Sequence, residues 1–391
     1  MNATEGRAYG PLTLTLGLGL LAMGIALSVQ MIASVIGPFD FLGTAPAGTP
    51  TLGVWLPGSA GYDTRTETRR RARSWRAALA GRVRVREGGS LESLAGQGVS
   101  ALAVSDARGL SPAELAALSD YVRGGGSAIV TGPVAVRGPE GEWLGTGAMA
   151  RLLGVPRVVP LPREASRGLA AARRGPLSAG LASGQRLAVD AEEGAPAIDD
   201  PAAELRWAGD EPSGPQARAA RGASLRREIG AGRLVWLGAG PDRSAAGATA
   251  PGGDFARLVA ATFAWAAREP YAEVLPPAAG PANASDGSPV PPDPPDLAAE
   301  LRRLGPRRHL VDVTNRGRES ARGAVVRVHL NVPVERLAMQ RTVLQQDEPR
   351  FHFDPRAQHV DVRLPEIAGG RSLAYTLDLD PALVEPTGDG A

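Results

Sequence analysis

The chain has 391 residues, 43% of them hydrophobic and 21% charged, with 43 basic residues against 41 acidic ones for a net charge of +2. It contains no Cys, no Lys and only 4 His. These absences exclude a disulfide framework, a thiolate metal site, a cysteine nucleophile, a Schiff-base lysine and the P-loop and kinase lysines. Ala, Gly, Arg and Pro are abundant, so the replacement of Lys by Arg reads as codon bias, and a charge so close to balance argues against nucleic acid as a partner.

Residues 12 to 37 open with an uncharged apolar run, Leu12 to Ile36, long enough for the roughly 20 residues a membrane-spanning helix needs. Pro11 suits its first turn and Gly37-Pro38 its exit. Arg7 on the short N-terminal flank, with no Arg after the run until Arg65, places residues 1 to 11 in the cytoplasm by the positive-inside rule. The expectation is therefore a single-pass protein of a bacterial inner membrane, its bulk periplasmic or extracytoplasmic. Cleavage after the run, releasing an exported protein, is the alternative.

Residues 38 to 50 read as a tether, 51 to 275 as an α/β domain, 276 to 296 as a Pro-rich linker, 297 to 380 as a strand-rich module and 381 to 391 as a tail. In the α/β region, strand and helix patterns alternate. Thr51 to Leu56 is a first strand and Thr64 to Ala80 a helix. Arg82 to Arg86 alternates as an edge strand should, and Ser100 to Val104 is a buried strand. Ser111, Pro112 and Glu114 spell a capping box at the start of a helix that Gly124-Gly125-Gly126 stops. Ala128 to Val130, Arg157 to Val159 and Leu234 to Leu237 are further strands, Met149 to Leu153 a short helix and Asp254 to Ala267 a closing helix. Residues 163 to 222 give no clear pattern. The expected fold is α/β: a flavodoxin-like doubly wound sheet, preceded by one transmembrane helix and followed by a small β-sandwich.

The stretch VSALAVSDARGLSPAELAALSDYVRGGGSAIVTG, residues 99 to 132, resembles the core of the class I glutamine amidotransferase-like fold, in the version of the beta-galactosidase trimerisation domain. GEWLGTGAMARLLGV, GRLVWLGAGPD and FARLVAATFAWA resemble that domain's short helix, last strand and last helix. The resemblance implies the fold and an assembly or binding role. It does not bring the enzymes' chemistry, because their Cys nucleophile and His base have no counterpart in residues 51 to 275. The region is expected to be catalytically inactive and to take no cofactor.

Ligands of open α/β sheets bind beyond the carboxyl ends of the strands. Asp63, Ser105, Asp106 and Asp242 follow strands there and form a candidate ligand crevice; each Asp also suits a cap or an Asx-turn. Glu140 and Glu142 in the PEGEW loop are weaker candidates. Arg69, Arg73 and Arg76 share a helix face at i, i+4, i+7 spacing and form a candidate anion-binding face, or a solvated one.

The C-terminal module resembles bacterial immunoglobulin-like sandwiches through its VTNRG, VPVERL and LPEIAGGRSLAYTLDL segments. His352 and His359 are expected to face each other across a hairpin with Asp354 and Asp361 near, read as solvated pairs rather than a metal site. The function expected is a membrane-anchored, inactive scaffold or ligand-binding protein of the envelope, with a protein partner or homo-oligomer and a polysaccharide as partners. A carboxylate-dependent carbohydrate-active enzyme or its accessory subunit is one alternative, and an accessory component of a membrane transport complex another.

Overall fold

The computed structural model describes residues 49–59, 65–190, 194–209, 221–244, 253–275, 297–304, 308–330, 334–341, 350–356 and 358–381. Its first core is built on a six-stranded sheet. Strands β1 (Thr51–Trp55), β2 (Arg84–Gly88), β3 (Ala101–Ser105), β4 (Ser127–Thr131), β10 (Ser224–Ile229) and β11 (Gly232–Leu237) are ordered β10-β11-β4-β3-β1-β2. The five from β11 to β2 run parallel, and the edge strand β10 is antiparallel to β11.

The central strands β1, β3 and β4 are buried along their whole length. That is what a continuous apolar run means when helices cover both faces. On one face, Leu52, Val54, Ala103, Ile129 and Val235 pack against Trp75 and Leu79 of α1 (Arg65–Ala78) and its C-terminal end, and against Phe255, Leu258 and Phe263 of α5 (Asp254–Ala266). On the other, Trp55, Leu102, Val104, Val130 and Trp236 meet α2 (Leu91–Gly96), α3 (Pro112–Arg123) and α4 (Gly147–Leu153). The α3 start carries the capping box read from the sequence: the Ser111 hydroxyl accepts from Glu114 N, and the Glu114 carboxylate accepts from Ser111 N at 2.9 Å.

The expectation of a flavodoxin-like doubly wound sheet is corrected. Between β4 and β10 the chain does not continue the strand–helix alternation. It makes two small antiparallel sheets, β5 (Val158–Leu161) with β8 (Ala195–Ile198), and β7 (Arg186–Ala188), β6 (Gly168–Ala171) and β9 (Leu205–Trp207) in that order. Residues 163 to 222 carry Gly and Pro in place of a helical apolar stripe, and such residues interrupt helices. The chain then returns through the β10–β11 hairpin, whose turn at Gly230-Ala231 needs φ +62° at Gly230, so its last step is antiparallel. Gly232 is required for space: a Cβ there would lie 1.9 Å from the Val122 carbonyl oxygen.

The expected transmembrane helix over residues 12 to 37 lies outside the described residues. Among the described residues no helix is long and apolar enough to cross a membrane. The longest, α1, has 14 residues and six Arg, short of the roughly 20 apolar ones a span requires. The reading of a membrane-anchored scaffold, with single-pass partnership and inner-membrane location, is corrected accordingly and is not carried forward.

A separate core lies between two four-stranded antiparallel sheets. One is β12 (Tyr271–Leu275), β15 (Val325–His329), β18 (His359–Arg363) and β17 (Arg350–Asp354), in that order. The other is β13 (Leu297–Arg303), β14 (Arg308–Asn315), β19 (Ser372–Pro381) and β16 (Val334–Arg341). Alternate residues point inward, as in β14 with Val311 and Val313 at 0% exposure. Strand β12 leaves α5 after a few residues yet pairs with β15, so this sheet is completed by chain from before the Pro-rich stretch. Ion pairs join the sandwich to the α/β part: Arg316 to Asp254 at 2.8 Å, Arg303 to Glu269 and Arg257 to Glu300 at 3.7 Å each, and Arg82 to Glu300.

Candidate functional site

The carboxyl end of β3 is a sharp elbow. Ser105 and Asp106 are buried, and Asp106 has φ +47°. Asp enters this left-handed region more readily than most residues, but at a cost that the surroundings must offset. Here they do. The Asp106 amide donates to the Thr131 carbonyl at 2.7 Å. Its carboxylate accepts from Arg71 Nη2 at 3.1 Å and Arg243 Nη2 at 2.9 Å on Oδ2, and from Arg108 Nε at 2.9 Å on Oδ1.

Arg71 crosses from α1 and also donates to the Ser105 carbonyl at 2.8 Å. The Ser105 hydroxyl accepts from Trp75 Nε1 at 2.7 Å. Asp242 comes from the 3-10 turn Pro241–Arg243 after β11, and its carboxyl stands 4.0 Å from Arg71 Nη1. Burial pushes the Asp242 carboxyl above the ordinary carboxylate range; Arg71 opposes this, Asp106 adds to it and Arg243 opposes it.

Of the crevice residues read from the sequence, Ser105, Asp106 and Asp242 thus meet around one guanidinium, while Asp63 lies outside the described residues. The residues that organise the site, Arg71, Arg108 and Arg243, were not singled out. One signal was available for Arg71: it lies four residues before Trp75, on the edge of the helix's apolar stripe, and is 3% exposed among exposed Arg69, Arg70, Arg73 and Arg76. On the exposed face, Arg73 donates to the Arg69 carbonyl at 3.2 Å and Arg76 pairs with Glu87. Glu142 accepts from the Glu140 amide at 3.1 Å within its own loop, away from the elbow cluster's hydrogen bonds.

A cavity of about 20 Å³ adjoins the cluster, lined in part by Asp106, Ser166, Asp190, Trp207, Asp242 and Arg243. That admits a water-sized group and not a sugar ring. Paired-carboxylate hydrolysis needs two acids across a space that holds the glycosidic bond. Asp106 and Asp242 instead have Arg71 between them.

In the sandwich the β17–β18 register sets His352 opposite Asp361 and Asp354 opposite His359. The two histidines are diagonal neighbours, which corrects the facing pair read from the sequence. His359 Nε2 lies 3.7 Å from Asp361, and His329 Nε2 is 2.7 Å from Glu273 and stacks on Tyr271 at 4.6 Å between ring centroids. His309 is buried, and burial first and Arg303 second lower its pKa to about 4. Among the described residues no group of three or more His, Cys, Asp or Glu could hold a metal ion.

No family model matches the chain, and no curated protein matches it. Among solved structures, the cold-adapted beta-galactosidase of Rahnella sp. R3 aligns at 14% identity and TM-score 0.40, covering 83% of this chain and 40% of that one. The beta-galactosidase of Bacillus circulans sp. alkalophilus aligns at 10% identity and TM-score 0.37, covering 84% and 41%. The exo-carrageenase GH42 of Bacteroides ovatus aligns at 8% identity and TM-score 0.25, covering 85% and 29%. The chain thus spans about two fifths or less of each of these proteins, and the structure resembles part of a GH42 beta-galactosidase at low identity, a likeness too distant to carry activity.

Proposed function

We propose that this chain is a non-catalytic accessory subunit of a carbohydrate-active enzyme system. The observation that carries the reading is the state of the elbow. A side chain at such a position is free to react only if it is exposed and unencumbered. Asp106 is 4% exposed and both its oxygens accept hydrogen bonds from guanidinium groups. The association with carbohydrate chemistry is supported by the likeness of residues 99 to 132 to the beta-galactosidase trimerisation domain.

A second reading has one observation in its favour. Asp106 and Asp242 share Arg71, and burial favours the acid form of Asp242, the separation of roles that paired-acid catalysis requires. One experiment separates the two. The purified chain is assayed on nitrophenyl galactosides and on galactan, alone and with a beta-galactosidase. The accessory reading expects no turnover by the chain alone and a raised melting temperature or a larger mass for the mixture. Turnover by the chain alone that Asp106→Asn or Asp242→Asn abolishes would establish the enzyme reading instead.

A further inference from the structure

Far from the elbow, the six-stranded sheet ends in an open, basic edge. Strand β2 is the last strand and pairs with β1. Arg84 N donates to the Pro50 carbonyl and Leu56 N donates to the Gly88 carbonyl, both at 2.9 Å. The N–H and C=O of one strand residue point to the same side, and those of the next residue to the other. Arg84, Arg86 and Gly88 therefore face β1, while Val85 and Glu87 turn their N–H and C=O groups outward. Among the described residues no strand pairs with that outer side. The charge here is one-sided. From Arg69 to Gly88 the sequence has eight Arg and a single acid, Glu87. Arg71 belongs to the elbow and Arg82 pairs with Glu300; Arg69, Arg70, Arg73, Arg76, Arg84 and Arg86 are exposed. Glu87 pairs with Arg76, and Arg86 donates to the neutral Gln97 side chain at 3.2 Å. Pairing with Leu52 and Val54 sets Val85 and Glu87 on the face that α1 covers, so Arg84 and Arg86 lie on the opposite face. Guanidinium groups thus flank the edge on both sides.

We infer that the outer edge of β2 takes an extended acidic segment of a protein partner as an added strand. Val85 and Glu87 each offer it one N–H and one C=O. In an antiparallel pairing, the partner residues opposite Arg84 and Arg86 share the face of those arginines. Acidic side chains at alternate positions of the segment therefore meet them, and apolar ones between fall beside Val85. A second copy of this chain fits less well, because β2 on β2 sets Arg against Arg, and like charges directly opposite are destabilising. Charged side chains also keep an edge from pairing with itself, but that role needs no charge on the neighbouring helix, where Arg69, Arg70 and Arg73 continue the basic surface. A polyanion without a peptide backbone would engage the guanidinium groups and leave the Val85 and Glu87 backbone to water, which is what separates it from a strand.

The probe is a fluorescein-labelled peptide of alternating Glu and Val, titrated with the intact chain and followed by anisotropy. Saturable binding is expected, weaker in high salt. Arg84→Glu combined with Arg86→Glu should weaken it about 10-fold or more. A peptide of the same composition with its Glu residues in one block should bind several-fold more weakly. Val85→Pro removes an outward donor and no bond to β1, and Pro is tolerated on edge strands, so this variant should also bind several-fold more weakly. Hydrogen exchange gives a reading that needs no variant: the peptide should slow exchange of the Val85 and Glu87 amides. Absence of saturable binding, or binding that leaves those two amides unprotected, overturns the inference, as does equal affinity for the alternating and the blocked peptide. Tighter binding of polygalacturonate or of phosphatidylglycerol vesicles than of the peptide overturns it in favour of a polysaccharide or a lipid surface. The inference does not use the accessory role, and the assays with beta-galactosidase can fail while this edge still binds its peptide.

Discussion

The elbow of the α/β domain and the outer face of the β12–β15–β18–β17 sheet are made from similar charged residues and behave as opposites. At the elbow, Arg71 and Asp106 are 3% and 4% exposed, and each makes several hydrogen bonds. On the sheet, Arg327 holds Asp361 through two hydrogen bonds of 2.7 and 2.8 Å, with 31% and 24% of the side chains exposed. The geometry of the surface pair is as good as that of the buried one. Water is what differs: it can replace a lost partner on the sheet and cannot at the elbow.

The largest expected effect is therefore at Arg71. Arg71→Ala leaves Asp106 and Asp242 buried without the guanidinium between them, and should cost about 3–5 kcal/mol in urea denaturation. A loss below about 1 kcal/mol would place the cluster in water and erase the contrast.

The next effect tests burial inside the sandwich itself. His309 has a folded pKa of about 4 against an ordinary value of 6.5. Between those values the unfolded chain binds a proton that the folded chain does not. Stability should accordingly fall as the pH drops through 6.5 toward 4 and then level off, by up to about 3 kcal/mol from this residue. His309→Leu should remove that part of the slope when melting is followed from pH 7 to pH 4.

A smaller loss, about 1–2 kcal/mol, is expected for Ser105→Ala, which strips the buried Trp75 indole N–H of its acceptor; chemical denaturation with Trp fluorescence reads it directly. The smallest belongs to the surface. A double-mutant cycle with Arg327→Met and Asp361→Asn should give a coupling of at most about 1 kcal/mol, shrinking in high salt. A larger, salt-insensitive coupling would mean that this face is covered in the working assembly.

The contrast also explains what could be read in the sequence. The buried strands β1, β3, β4 and β11 and the capped helix α3 were legible because burial writes a local pattern: an apolar run, or Ser-Pro-x-Glu before a periodic stripe. Ser105, Asp106 and Asp242 were legible as residues following strands. Their partners were harder to read: Arg71 is set apart only by its place beside the apolar stripe that holds Trp75, and Arg108 and Arg243 look like every other Arg in the chain until the fold brings three separate segments together. Of the small sheets of residues 158 to 207, only the start of β5 was legible, in Arg157 to Val159, and the rest was hidden for a related reason. Their strands have three or four residues each and take their pairing from distant segments. Strand β12 was hidden by its neighbour, since it follows α5 so closely that it reads as the end of the α/β region.

That placement of β12 has a consequence for how the chain can be divided. A chain expressed as two pieces, separated between residues 276 and 296, would not yield one finished module in each. The first piece would carry Tyr271–Leu275 with no sheet to join, and the second would present Val325–His329 as an open edge. Each piece holds what the other lacks, so the two should seek one another out in solution, and a complementation assay between them would be a natural reporter of assembly. During synthesis the same arrangement makes the strand wait for residues that emerge about fifty positions later, so the sandwich cannot close until β15 has left the ribosome.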